Sequence, residues 1–162
     1  MIIGIDPGVS GAIVIMGNNG HYLDHLLMPV IKVGSKSRVN GAAVHRFISE
    51  WVEDMQAHCY LEQVGAMPGQ GVSSMFSFGH AAGLVEGVIT GLGIPLTLVT
   101  PQAWKKHAGL IGQDKDAARG RAVQLFPEIR ALEQKGKGQA IADALLIARY
   151  GLTLQVGSGS TS

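Results

Sequence analysis

Ile2-Ile3-Gly4-Ile5-Asp6-Pro7-Gly8-Val9-Ser10-Gly11-Ala12 is the stretch from which the rest of the chain can be read. Three isoleucines around one glycine predict a buried strand, which ends on a carboxylate and a Pro-Gly turn. A second apolar run over 10–16 follows, and Gly17-Asn18-Asn19-Gly20 predicts a hairpin into a third strand over 20–28. The chain therefore opens as an antiparallel meander with Asp6 at the end of its first strand.

Two more carboxylates stand in segments that read as core. Glu62 lies in Cys59-Tyr60-Leu61-Glu62-Gln63-Val64, a fourth strand over 58–64. Asp143 is the only charge between Gln139 and Ala148, in a helix predicted over about 139–150. An unpaired buried carboxylate is costly unless it neutralises, pairs or binds a metal, and none of the three segments carries a basic residue. Each acid also has an ordinary reading. Asp6 before Pro-Gly can bond its own turn backbone, and Glu62 can occupy the exposed side of an alternating strand. Asp143 is harder to explain that way, because its helix is apolar around nearly its whole circumference. Gathered at one point, the three would make a site for hard divalent cations.

The remaining pattern alternates helix and strand. Asn40 is a candidate N-cap for an amphipathic helix to about residue 57, with Val44, Phe47, Ile48, Trp51 and Met55 on its apolar face. Residues 34–38 read as loop. A glycine-rich loop, 65–71, leads to a helix over 73–91; a strand over 95–99 follows, and Thr100-Pro101 caps and starts a short helix through Lys106. A further helix runs from Asp114 to about Phe126, where Pro127 stops it. The expected fold is α/β: a mixed five-stranded sheet, three antiparallel strands then two parallel, with helices on both faces. The expected domain is 1–152, with 153–162 a flexible tail.

Composition narrows the class. Of 162 residues, 46% are hydrophobic and 15% charged, which excludes a disordered chain and fits one domain with a substantial core. Apolar runs read as too short for a bilayer and no charged-then-apolar leader opens the sequence, so no membrane partner is expected. The lone Cys59 excludes an internal disulfide and fits a reducing cytoplasm. Net charge is +1, but residues 101–137 carry eight Lys/Arg against four Asp/Glu, a local excess able to face a polyanion. His21, His25, His45, His58, His80 and His107 form no metal-ligand spacing.

Taken together, these residues resemble a known family. Ile3 to Ala12, Leu61-Glu62-Gln63-Val64 and Ala142-Asp143-Ala144-Leu145-Leu146-Ile147-Ala148 resemble, in order, the first, second and last motifs of the RuvC family of Holliday-junction resolvases. The segment from Ser74 through Gly79 to Gly83 is similar in spacing to that family's Gly-xxx-Gly helix, and the likeness spans about residues 1–150. It implies a ribonuclease H-like fold, a homodimer, and Mg²⁺- or Mn²⁺-dependent nicking of opposed strands at four-way DNA junctions. Asp6, Glu62 and Asp143 would be catalytic and hold two ions about 3.5–4 Å apart, one activating water and one stabilising the leaving oxygen. The short sequence looks like the phage-encoded branch, whose expected work is debranching replicated DNA in the host cytoplasm.

Two departures from the family stand out. The usual fourth acid, one helical turn before the final aspartate, falls here at Gly138, Gln139 and Ala140, leaving Gln139 as a neutral ligand candidate. An aromatic expected shortly after Glu-Gln-Val is replaced by Gly65, so Phe76 or Met67 would have to wedge into the junction. Phe78 belongs by periodicity with Met75, Ala82, Val85, Ile89 and Leu92 in the core. Gly79, Gly83, Gly87 and Gly91 recur every fourth residue and predict close approach of another backbone, the dimer partner being favoured over the sheet. Lys105, Lys106, Lys115, Arg119 and Arg121 are the candidate phosphate contacts, Lys115 and Arg119 sharing one helix face.

Rival functions remain within reach of these residues. The same fold could serve a nuclease for RNA–DNA hybrids or flaps, and loss of the fourth acid could leave a junction-binding protein with weakened catalysis. A sugar-kinase or actin-like phosphate loop shares the Asp-x-Gly hairpin, but those proteins close two such domains on ATP.

Overall fold

The computed structural model describes residues 1–53, 56–63, 65 and 68–158. Strands β1 (Ile2–Asp6), β2 (Ala12–Met16) and β3 (Tyr22–Leu27) form the expected antiparallel meander. β4 (Val30–Val33) and β5 (Lys36–Val39) pair as a separate two-stranded hairpin, followed by α1 (Gly41–Val52) and β6 (His58–Glu62). Then come α2 (Val72–Gly91), β7 (Leu96–Val99), α3 (Pro101–Ala108), α4 (Ala117–Leu125), a 3₁₀ turn over Arg130–Glu133, and α5 (Lys135–Ser158). The main sheet has the order β3-β2-β1-β6-β7, with β6 parallel to both β1 and β7.

Strand alternation divides the core into two layers. Ile3, Ile5, Ile13, Ile15, Cys59 and Leu61 face α1 and α2. Ile2, Val14, Met16, Tyr60 and Val99 face α5, with α3 and α4 completing that layer. Gly4 and Asp6 share the second face by parity, as does Glu62 through Tyr60. All three acids of interest are thereby directed to one side of the sheet.

α5 lies against β1 at backbone distance. A Cβ at Gly4 would collide with the Ala144 carbonyl oxygen and the Ala148 side chain. Further along, a Cβ at Gly151 would enter the Tyr60 ring. These two glycines let the helix lie flat on β1 and β6, which lowers Asp143 to the level of the strand ends.

Several expected boundaries move. Residues 34–38 are not plain loop: Gly34, at φ +62°, turns the β4–β5 hairpin. α5 begins at Lys135 and continues to Ser158, so the segment 153–158, expected as flexible tail, is helical. α4 begins at Ala117, leaving Asp114 and Lys115 in the preceding loop. α1 is capped as expected, the Asn40 side chain accepting from the Ala43 amide at 3.2 Å, and Thr100 caps α3 in the same way.

α2 departs furthest from expectation. Val85 and Ile89 are buried as expected, but Ala81 is buried in place of Ala82, and Phe78, expected in the core, is only half-buried. Cβ atoms at Gly79, Gly83, Gly87 and Gly91 would meet nothing, so the glycine face does not rest on the sheet. By length and composition this 20-residue helix also qualifies as a membrane span, at a mean hydropathy of 1.2, contrary to the sequence expectation. Only 17% of that window is buried, but its exposed positions are mostly glycines and polar residues (Ser77, His80, Glu86, Thr90), with Val72 and Phe76 the large exposed apolar side chains of the helix.

Replacing Gly4 by Ala is expected to cost about 1–3 kcal/mol, because either β1 or α5 must retreat from a packed contact. Denaturant titration of Gly4→Ala beside Gly120→Ala, whose Cβ would meet nothing, checks this. Equal stability of the two variants would contradict it.

Candidate active site

The register of β1 and β6 builds the first half of the site. Ile5 pairs with Leu61 in parallel, so Asp6 and Glu62 follow side by side at the carboxyl ends of adjacent strands. α5 adds Asp143 from above. Each carboxylate is half-buried and has a neutral donor. The Gly8 amide donates to Asp6 Oδ1 at 3.4 Å, the Trp104 indole Nε1–H to Glu62 Oε2 at 2.6 Å, and the Gln139 amide Nε2–H to Asp143 Oδ1 at 3.0 Å. The turn reading of Asp6 is thus correct alongside its place in the acid cluster. Glu62 is not the exposed side of a strand, since Trp104, buried against α5, closes over it.

Burial raises all three carboxyl groups above their ordinary range. For Asp6 it is opposed by the Gly8 amide and the Lys105 charge. For Glu62 it is opposed first by the Trp104 hydrogen bond and reinforced by the Asp6 charge. Asp143 is displaced furthest, to about 7, by burial and then by the Asp6 and Glu62 charges, with Lys105 and Gln139 acting against the shift. Lys105 is the cation common to the three. Sequence inspection finds no basic partner because Lys105 arrives from α3, 38 residues before Asp143 in the chain.

Among the described residues, no three His, Cys, Asp or Glu side chains stand close enough to grip one ion as they lie. The donor chemistry nevertheless fits a hard divalent cation. Three carboxyl groups are held in mutual repulsion, and Gln139 Oε1 is buried without a hydrogen-bond partner. Asp6, Glu62, Asp143 and Gln139 are the residues that would hold it.

Two cavities open on the cluster. One, of about 320 Å³, is lined by Lys105, Gln113, Asp114, Lys115, Gln139 and Asp143. The other, of about 600 Å³, has Glu62, Gln70, Phe78, Thr100, Gln102 and Lys105 along its walls. Lys105 and Lys115 therefore converge on the acids, whereas Lys106 is exposed and lines neither cavity. Lys115 and Arg119 do not share a helix face: Arg119 turns inward, its Nη1 donating to the Leu132 carbonyl at 3.5 Å. Arg121 bonds along α4 to Gln124 at 3.3 Å. Phe78 stands at the mouth of the acid site, its ring near Gly8, and Phe76 is 69% exposed. Met67, the other wedge candidate, lies outside the described residues.

A ribonuclease H-like architecture with an acid cluster at the carboxyl ends of its central strands is the scaffold of a nuclease class. Residues 2–150 match the family model described as crossover junction endodeoxyribonuclease RuvC, and the chain belongs to that family. A structure of T. thermophilus RuvC in complex with Holliday junction substrate superposes with TM-score 0.63 at 17% identity, covering 97% of this chain and 96% of that one. A second Thermus thermophilus RuvC structure gives TM-score 0.56, again at 17% identity, over 96% of both chains. At that identity the likeness is one of fold. The chloroplastic Holliday junction resolvase MOC1 of Chlamydomonas reinhardtii is 33% identical over 94 residues, 57% of this chain but 11% of that protein.

The raised Asp143 pKa fixes a pH dependence for the metal-free protein. Its folded value, about 7, lies above the ordinary 3.8, so its protonation stabilises the fold at low pH and that contribution is lost as pH rises from about 4 through 7. Thermal melts in chelator across that window are expected to show falling stability, with a flatter profile for Asp143→Asn. Parallel profiles would contradict this.

Proposed function

We propose that this protein is a divalent-metal-dependent endonuclease that nicks four-way and related branched DNA junctions. The observation that carries the reading is the meeting of Asp6, Glu62 and Asp143 around Lys105, in a chain whose residues 2–150 match the RuvC family model. Mg²⁺, with Mn²⁺ as substitute and two ions per site, would supply an activated water and charge stabilisation at the leaving 3′ oxygen. The chain's own groups do the rest. Trp104 fixes Glu62, Gln139 fixes Asp143, and the Gly8 amide fixes Asp6. Lys105 and Lys115 provide positive charge for the scissile and neighbouring phosphates.

Two extensions belong to the same proposal. The open glycine face of α2, on a helix whose apolar window is mostly unburied, is the seam of a homodimer that presents two acid sites to opposed strands. With a single cysteine and so no internal disulfide, the chain suits a reducing host cytoplasm, where the enzyme would debranch phage DNA. Gln139 in place of an acid also supports a second reading, tight junction binding with slow cutting.

Cleavage of a labelled synthetic four-way junction in Mg²⁺ or Mn²⁺ tests the reading, beside linear duplex, a three-way fork and an RNA–DNA hybrid. Paired nicks in the junction arms, absent in Asp143→Asn, are the expected result. Binding without nicks selects the second reading, and preference for the hybrid overturns the substrate. Sedimentation of the free protein as a monomer would remove the dimer.

Trp104→Phe keeps an aromatic ring in the core, though a smaller one, and deletes the N–H that Glu62 accepts. It is expected to raise the Mg²⁺ concentration for half-maximal cleavage by about tenfold or more, the usual loss when a ligand's supporting partner is removed. An unchanged Mg²⁺ dependence would show that Trp104 only fills space.

A further inference from the structure

The β4–β5 hairpin supplies three cations and no acid between Val30 and Val39: Lys32, Lys36 and Arg38. It is anchored by Val39, which is buried in the layer beneath α1 and α2. Lys36 and Arg38 are two residues apart on one face of β5, about 7 Å along the strand, a spacing that fits successive phosphates of one nucleic-acid strand. Both are exposed. Lys36 reaches across to α2, where its ammonium donates to Ser73 Oγ at 3.3 Å.

Between hairpin and helix lies a cleft of about 50 Å³. Its walls are Lys36, Ser37 and Arg38 on one side, Phe76, Ser77 and His80 on the other, and Val9 at one end. Among the described residues, no carboxylate lines it. Val9 belongs to the loop that carries Asp6, Pro7 and Gly8, so the cleft opens beside the acid cluster. The side of approach is the decisive detail. Lys105 and Lys115 come from elements packed on the α5 face of the sheet, whereas the hairpin sits on the α1–α2 face.

We propose that the β4–β5 hairpin is a second phosphate-binding element, Lys36 and Arg38 holding the backbone of a DNA arm that passes Phe76 before entering the acid site. The inference rests on the junction-nuclease reading and adds to it a grip from the opposite face of the sheet. Cations that neutralise phosphates release counterions, so each contact adds about 0.9 to the salt slope of binding to duplex DNA.

The test is binding of a synthetic four-way junction by Asp143→Asn protein, which is not expected to cut, across a salt series with Mg²⁺ present. Adding Lys36→Ala and Arg38→Ala is expected to lower the slope of log affinity against log salt by about 2 and to weaken binding tenfold or more. The melting temperature should be unchanged, since both side chains are exposed. Arg46→Ala, on α1 and outside the cleft, controls for net charge. An unaltered slope in the double variant overturns the proposal, as does an equal loss per charge in Arg46→Ala. If the parent protein prefers duplex or hybrid to the junction, the functional reading fails. The same slope comparison on that preferred nucleic acid still decides the hairpin. Absence of nucleic-acid binding in the parent overturns both.

Discussion

The close approach of α5 to β1 is the constraint on which the rest of the molecule depends. A helix held off the sheet by side chains at ordinary packing distance would carry Asp143 well above Asp6 and Glu62. Gly4 removes the obstacle on β1 and Gly151 removes it opposite Tyr60, so helix backbone meets strand. Ala144 and Ala148 complete the seat with the smallest chiral side chains available. Packing and chemistry are therefore not separable here. The contacts that fill one half of the core also bring a third carboxylate to two that the parallel register has already set side by side.

That placement has an electrostatic cost, and the site's construction shows how it is contained. Every acid receives one neutral donor from a different element: a turn amide, an indole, a helix amide side chain. Neutral donors favour the charged form without neutralising it. The cation they share, Lys105, is exposed, so it moderates the repulsion through its charge without burying an ion pair with any one carboxylate. Asp143, the most displaced, is the acid furthest from its charged state at neutral pH and gains most from an incoming cation.

Much of this was legible in the chain. The three acids announce themselves because apolar periodicity makes a charge conspicuous, and the strand order follows from one meander and two helix-strand repeats. What escaped has physical causes. Trp104, and Lys105, which was expected as a phosphate contact but not as the cation among the acids, reach the site through the direction of α3, which no local pattern encodes. Arg119 looks like a surface cation, but only tertiary packing shows the Leu132 carbonyl that draws it inward. Phe78 keeps helical step with Val85 and Ile89, which are buried as expected, yet it stands in the first turns of α2 beside the acid-site cavity and is only half-buried, while Ala81 is buried where Ala82 was expected. The β4–β5 hairpin did carry a signal: Gly34-Ser35 between Val30-Ile31-Lys32-Val33 and Lys36-Ser37-Arg38-Val39 is a two-residue turn between short β-rich runs. Its charges made it resemble a loop.

Gln139 shows what replacing an acid changes. A fourth carboxylate one turn before Asp143 would add a third repulsive neighbour to a group already pushed to about 7. The amide instead donates a hydrogen bond to Asp143 and keeps its own oxygen buried without a partner. An oxygen left unsatisfied in this way is destabilising until something electropositive occupies the space beside it. In the proposed metal site, this glutamine would exchange affinity that comes from net charge for affinity that comes from an unmet hydrogen-bond acceptor. A site built so should hold its cation less tightly, and should depend more on the phosphate that arrives with the DNA to complete the ion's surroundings. Cleavage, as proposed, would then be coupled to a correctly seated strand, and phosphate contacts far from the acids, on either face of the sheet, would bear on the chemistry at the centre.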